Sequence, residues 1–402
     1  MSVPTVVFTS IAANYLPKAR VLANSLKAVA ADIQFCIVLV DSPENELNLN
    51  EEPFDIVLGL DDLAINDPEQ WAFSHSVVEL CTAVKGVAAK RLLARPECQR
   101  VMYFDPDMVV FGRFSELVEA LKSASIVLTP HQTQPEESHE AVMDNEMASL
   151  KHGVFNMGFF GVANTSEGNR FLNWWSERLA HFCEDDINRG LFTDQKWANL
   201  VPCFFKDYHV LRSPAFNVAT WNITTRNVEG SFQEGFTVNG EPLGFYHFSG
   251  FDSGDQALML HKYGADSQAL QKLRSWYVEA CEAMGQSRAA CQPYGYAAYR
   301  NGEAVTLAER RLYRVREDLR RAFPDPFACE PKGGYQAWYR LNVGEFSAPV
   351  ALALDEATST VSAIDIFADW LGGRARLHTG LLKRTALLFI SKALGAIARV
   401  AD

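Results

Sequence analysis

The sequence predicts an α/β fold with a mostly parallel central sheet. Two observations lead there: strand-like apolar runs alternate with helix-patterned segments up to Pro130, and several runs are apolar throughout rather than on one face. Alternation of this kind requires crossover connections, and helices then cover both faces of the sheet. TVVFTS reads as the first buried strand. The following segment carries Ala19, Leu22, Leu26 and Val29 at helical spacing. IQFCIVLVD and FDIVLGL are the second and third strands, and HSVVELCTAVKGVAAKRLLA is a long helix. RVMYFDPDMVVFG follows, then the helix FSELVEALKSA and the strand SIVLTP. In such sheets ligands bind beyond the carboxyl ends of the strands.

From Glu136 the texture changes. EESHEAVMDNEMASLKHG is polar and reads as a mobile or acceptor-side loop. VFNMGFFGV is strand-like, GNRFLNWWSERLAHFC is an aromatic helix, and LVPCFFKDYHVLRSPAFNVATWN reads as further short strands. FTVNGEPLGFYHFSG predicts a hairpin turning at Asn239–Gly240. Beyond residue 256 the pattern is helical. The expected domains are therefore 1–255, a helical region 256–345, and a tail 346–402 that carries a basic amphipathic helix. In that helix Leu382, Phe389, Ile390, Ile397 and Val400 share a side away from Arg384, Lys392 and Arg399. It could dock on the protein itself or make peripheral contact with an anionic membrane surface.

The 402 residues carry a formal net charge of -12, which excludes a general nucleic-acid binder. The 8 cysteines show neither a Cys-x-x-Cys pair nor a zinc-site histidine spacing, and several lie in apolar runs. A reducing, cytoplasmic setting is expected. No signal peptide is read at the N-terminus, and no apolar run reaches the roughly 18–20 residues needed to span a bilayer.

The chemistry concentrates at Asp105-Pro106-Asp107. Four apolar or aromatic residues, Val101 to Phe104, form a buried strand that delivers Asp105 to the sheet edge. Pro106 disfavours helical geometry at the preceding residue, so the chain is expected to stay extended, with residues i and i+2 facing the same side. Two adjacent carboxylates repel one another unless a cation or proton lies between them. A divalent ion bridging to a diphosphate resolves that repulsion and neutralises charge on a departing nucleotide. A strand-end turn is the plain alternative.

RVMYFDPDMVVFG resembles the Asp-x-Asp segment of GT-A glycosyltransferases, the glycogenin-like and lipopolysaccharide galactosyltransferase-like enzymes in particular. Further segments resemble that family in its order, across residues 3–255. TSIAANYLPKARVLANSL is similar to its opening strand and helix, which implies that Thr9, Ser10 and Tyr15 lie near the nucleotide base. FNMGFF implies that Asn156 and Gly158 lie beside the donor sugar. TDQKWANLV implies catalytic roles for Asp194 and Gln195, and YHFSG implies that His247 is a metal ligand with Asp105 and Asp107. FNVATWN resembles the family segment containing a Trp-Asn pair.

The family's late segment continues to a phosphate-holding Lys-Pro-Trp, but SGFDSGDQ here has no lysine, so the phosphate-side cation is unassigned. Lys85 is one candidate for it, with Lys90 and Arg91 close behind. The resemblance thus implies a GT-A fold with a helical C-terminal extension, a nucleotide-sugar donor (a UDP-sugar), and Mn²⁺ or Mg²⁺. It also implies a glycan, lipid-linked or protein acceptor and a retaining outcome. Two carboxylates and an imidazole suit Mn²⁺ better than Mg²⁺. The donor sugar, the acceptor and the oligomeric state are not legible. LYRVREDLRRAFPDPF and GGYQAWYR resemble a segment that follows the transferase core in bacterial polysaccharide enzymes; the Arg-rich helix reads as a buttress, with contact to an acceptor phosphate as the alternative.

Two other readings compete. FDPDMVV also fits the first motif of haloacid-dehalogenase-like phosphatases with Asp105 as nucleophile, for which the sequence offers Asp185, Asp186, Asp252 and Asp255 as further acids. A catalytically inactive GT-A binding module is the other.

Overall fold

The computed structural model describes residues 5–41, 51–329 and 333–342. It divides into two compact units, residues 1–297 and 298–402. The expected boundary after residue 255 falls within the first unit, and the basic C-terminal helix lies outside the described residues.

The first unit is built on a seven-stranded sheet. Its strands are β1 (Thr5–Ile11), β2 (Gln34–Leu39), β3 (Ile56–Leu58), β4 (Arg100–Phe104), β6 (Ile126–Pro130), β7 (Phe155–Ala163) and β8 (Tyr208–Val210). The strand β5 (Met108–Val110) lies outside this sheet. The spatial order is β8-β6-β7-β4-β1-β2-β3. Every pairing is parallel except the two made by β7, which runs antiparallel to both β4 and β6. The α/β class and the mostly parallel sheet follow the sequence expectation.

Alternation along each strand feeds two cores. Val6, Phe8, Cys36, Val38, Val101 and Tyr103 face one side, where they meet Leu80, Val84, Phe171 and Trp175. These come from the helices α2 (Val77–Leu93) and α4 (Ser166–Phe182). On the other side Val7, Phe35, Met102, Phe104 and Phe159 pack with Leu22 and Leu26 of α1 (Leu16–Val29) and Leu117 of α3 (Phe114–Ser123). Helix α2 starts at a capping box: Ser76 Oγ accepts from Glu79 N at 3.4 Å while Glu79 Oε2 accepts from Ser76 N at 2.9 Å.

A third cluster joins β9 (Val228–Ser231), β10 (Gly235–Val238) and β12 (Phe245–His247) to α5 (Asp255–Tyr263) and α6 (Gln268–Ala283) through Val228, Val238, Tyr246, Leu260, Leu273 and Tyr277. The strand β11 is Glu241–Pro242, and the β10–β11 turn falls at Asn239–Gly240 as expected. Both turn residues have positive φ (50° and 84°), the mirror-image turn that Asn-Gly favours.

Two local expectations are corrected. The polar stretch expected as a loop is helical from His139 to His152, with Ser138 Oγ capping Ala141 N at 3.1 Å. Its Glu, Ala, Met and Lys content supports helix once that cap is present. The stretch from Leu200, expected as short strands, begins instead at the end of a 3-10 helix (Lys196–Leu200) and continues as an α-helix (Val201–Phe204) before β8. Its aromatic rings pack against α4: the Phe205 ring lies 5.5 Å from those of both Phe171 and Trp174. Among the described residues, no helix is long and apolar enough to cross a membrane.

Candidate metal centre

β4 ends at Phe104, and Asp105 N donates to Gly158 O of β7 at 2.7 Å, so the first carboxylate is anchored to the sheet by its own backbone. The chain then reverses. Met108 N donates to Asp105 O at 3.0 Å, closing a turn with Pro106 at its second position, where proline's fixed φ is favourable. The expectation of an extended Asp105–Asp107 segment is therefore corrected. A turn rather than a pleat brings the two carboxylates together.

The third group arrives from far along the chain. β12 pairs antiparallel with β5, with His247 opposite Met108, and Phe248 N donates to Asp107 O at 2.8 Å. His247 Nε2 thereby lies 3.1 Å from Asp107 Oδ1 and 3.8 Å from Asp105 Oδ2. One potential ligand atom from each of the three residues falls within 4.8 Å of the others. The Trp221 ring stands edge-on to the imidazole at 5.2 Å, and His247 Nδ1 is buried without a hydrogen-bond partner.

This donor set fits a divalent cation: two carboxylates and one imidazole nitrogen aimed at one point. Burial disfavours the imidazolium, but the Asp107 carboxylate beside it outweighs that and holds the His247 pKa above its ordinary value. Burial likewise opposes ionisation of Asp107, yet the charge and hydrogen bond of His247, with a smaller contribution from Lys18, hold its pKa below the ordinary range.

Behind the Asp105–Asp107–His247 cluster lies a buried ion-pair chain. Lys85, from α2, has its ammonium 3.2 Å from Asp105 Oδ1, 3.1 Å from Asp194 Oδ2 and 3.1 Å from Met157 O. The side chains of Lys85 and Asp194 are each only 3% exposed. Burial favours neutral lysine, but the two carboxylates override it and raise its pKa well above the usual value. The Asp194 pKa is raised because burial outweighs the pull of Lys85. Tyr103 completes the group: its hydroxyl donates to Asp105 Oδ1 at 2.7 Å and lies 3.2 Å from Ser10 Oγ, which in turn donates to Cys81 O at 2.6 Å. Asp105 thus turns one oxygen to Lys85 and Tyr103 and the other toward His247.

Asp194 is held by its main chain, whose carbonyl accepts from Trp175 Nε1 at 3.2 Å. Gln195 Oε1 accepts from Met157 N at 3.1 Å and Asn156 Nδ2 at 3.3 Å, and its Nε2 donates to His152 O at 3.2 Å. Asn156 Oδ1 accepts from Gly158 N at 3.2 Å, and its Nδ2 lies 3.2 Å from His131 Nε2. Burial lowers the His131 pKa to about 4, so that imidazole is neutral and accepts from the amide. Asn156 and Gln195 therefore brace the first residues of β7.

Gly158 is required by close approach. A Cβ there would lie 2.7 Å from Asp105 Oδ2 and 2.8 Å from Asn156 Oδ1. Gly158→Ala is expected to displace the Asp105 carboxylate and weaken Mn²⁺ binding about tenfold or more, which titration of Mn²⁺ by electron paramagnetic resonance would measure. Unchanged affinity would show that Asp105 does not depend on this clearance.

The structure thus brings together Asp105, Asp107, His247, Lys85 and Asp194, with Asn156, Gly158 and Gln195 bracing one side. Thr9 and Ser10 lie on opposite faces of β1; the Thr9 hydroxyl is buried without a partner. Tyr15 closes the turn after β1, and its hydroxyl donates to Asp252 at 2.6 Å. Lys90 and Arg91 are exposed. Sequence reasoning missed Tyr103, which lay in a run read as a buried strand, and Lys18, which it did not single out. The acids a phosphatase would recruit are absent from the metal cluster, and Asp186 caps its own turn by accepting from Arg189 N at 3.3 Å.

No protein-family model matches this chain. The uncharacterized protein YfnD of Bacillus subtilis (strain 168) is 27% identical over 248 residues, covering 60% of this chain and 76% of its own length. YfnF of the same organism is 28% identical over 176 residues, 43% of this chain, and the match spans 57% of YfnF. Solved structures of glycosyltransferases are similar to it as well. The galactosyltransferase LgtC, in complex with donor and acceptor sugar analogs, is 14% identical with a TM-score of 0.42, covering 70% of this chain and 96% of its own. Mouse xyloside xylosyltransferase 1 is 16% identical with a TM-score of 0.37, covering 61% and 97%.

Proposed function

We propose that this chain is a glycosyltransferase that moves a sugar from a nucleotide-sugar, a UDP-sugar, to a glycan, lipid-linked or protein acceptor. The observation that carries the reading is the Asp105–Asp107–His247 cluster at the carboxyl end of β4, backed by the Lys85–Asp194 pair. Two carboxylates and an imidazole would hold Mn²⁺, which would neutralise the diphosphate as it leaves. Thr9, Ser10 and Tyr15, at the end of β1 and the turn after it, lie on the base side. Asn156, Gly158 and Gln195 line the sugar side, where Asp194 faces the developing positive charge of the sugar and Lys85, 3.1 Å from Asp194 and 3.2 Å from Asp105, holds both carboxylates in place. A retaining outcome is part of this reading, since it calls for no obligatory enzymic base on the acceptor.

Thermal unfolding with UDP tests the reading. With UDP at about 100 times its Kd, stabilisation of about 2.7 kcal/mol is expected in the presence of Mn²⁺. A shift that ignores Mn²⁺, or no shift at all, would sink the proposal. Metal-dependent hydrolysis across a panel of nucleotide-sugars then separates an enzyme from a binding module and identifies the donor.

A further inference from the structure

The same side of the first unit holds a second buried lysine that the metal centre does not use. Lys18, the third residue of α1, is ion-paired with Asp252 and lies 4.1 Å above the Tyr15 ring and 5.6 Å from the Phe251 ring. The Tyr15 hydroxyl donates to that same Asp252 oxygen at 2.6 Å. On one side, then, is the turn that follows β1. On the other is the segment after His247, which is stitched to the Asp107 turn through Phe248 N. Lys18 lies between the base-side turn and the metal-side turn.

The pair is lopsided. The Lys18 side chain is 1% exposed, whereas that of Asp252 is 45% exposed. A carboxylate so exposed can leave and hydrate at little cost, but the buried ammonium cannot be left without an anion. Asp252 is therefore the replaceable partner, and whatever replaces it must be anionic and must reach from the Tyr15 turn toward Asp107. A nucleoside diphosphate meets both conditions. Charge balance asks for the same thing. Asp105, Asp107 and Asp194 are matched by Lys85 and one divalent ion, which leaves the charge of the diphosphate itself without a protein cation.

We propose that Lys18 is the diphosphate-binding cation of this site and that Asp252 is its placeholder, displaced when the nucleotide enters. The assignment rests on the donor reading above. Displacement also frees the Tyr15 hydroxyl, so one exchange alters both the base-side and the phosphate-side contacts.

Calorimetric titration of the full chain with UDP and with uridine, in Mn²⁺, tests it. Lys18→Met is expected to weaken UDP binding roughly ten- to a hundredfold, the range for a charge-assisted contact, and to leave uridine binding nearly unchanged. Asp252→Asn is expected to bind UDP at least as tightly as the parent chain, because it removes a competitor for Lys18. Lys18→Met with parental UDP affinity would overturn the assignment. So would Asp252→Asn weakened toward UDP, since the pair would then be a structural clasp. Should Lys18→Met fail to fold, the surface variant Asp252→Asn decides by itself in the same two directions. Parental protein without Mn²⁺-dependent UDP affinity strikes the donor reading and this assignment together. Parental binding with an unaffected Lys18→Met strikes only the latter.

Discussion

Asp107→Asn is expected to reduce Mn²⁺-dependent UDP binding by on the order of a hundredfold or more, the scale on which metal sites respond to altered ligation. The substitution removes one of two anionic ligands and deprives His247 of the carboxylate 3.1 Å from its Nε2. It changes little else. Asparagine matches aspartate in size, and the bonds that shape the turn are main-chain ones: Met108 N to Asp105 O and Phe248 N to Asp107 O. Folding should therefore persist, and the defect should appear as lost metal and nucleotide affinity. Titration calorimetry with UDP, with and without Mn²⁺, measures it. Parental UDP affinity in this variant would remove the cluster from the mechanism.

Lys85→Met is expected to lower folding stability by about 3–5 kcal/mol near neutral pH, the cost of removing one member of a buried ion pair. Methionine fills the volume, but Asp105 and Asp194 then face one another without a counter-ion. The pH dependence gives the cause away. Burial already raises the Asp194 pKa above its unfolded value, and losing Lys85 raises it further. A carboxyl whose folded pKa exceeds its unfolded pKa is penalised at neutral pH and relieved as acid protonates it, so the gap between variant and parent should narrow as pH falls. Denaturation midpoints at pH 7.5 and pH 5 would show this. Equal stability at both values would mean that the three groups do not form the pair chain. Lys85→Met combined with Asp194→Asn should recover part of the loss, since a neutral amide replaces the stranded charge. Asp194→Asn alone should spare UDP affinity and lower turnover by roughly a hundredfold; undiminished turnover would remove its assigned role.

Much of this could be read directly from the chain. The strands up to Pro130, the long helices, the Asn239–Gly240 turn and the placing of Asp105 at a strand end follow from local patterns, side-chain period and turn chemistry, whereas the proline-based expectation of an extended Asp105–Asp107 segment does not hold. His247 could be named only through resemblance, because nothing in YHFSG itself marks a ligand. The register of β12 on β5, about which the sequence is silent, sets its imidazole against Asp107. Tyr103 read as a core residue and Lys85 as a candidate cation without named partners, until packing showed their hydroxyl and ammonium meeting the same Asp105 oxygen. The segments misjudged, 139–152 and 200–204, are those where local preference was weak and neighbours decided.

By itself, then, the sequence determined the α/β class, the element order and the two acids at the end of β4. Each depends on residues within a turn or two of one another, and period and sterics act at that range. Tertiary structure alone decided that the acids meet His247, that Lys85 joins Asp105 to Asp194, and that Lys18 is buried against Asp252. Electrostatic contacts depend on distance in space, and here the chain closes those distances across 20 to 234 residues.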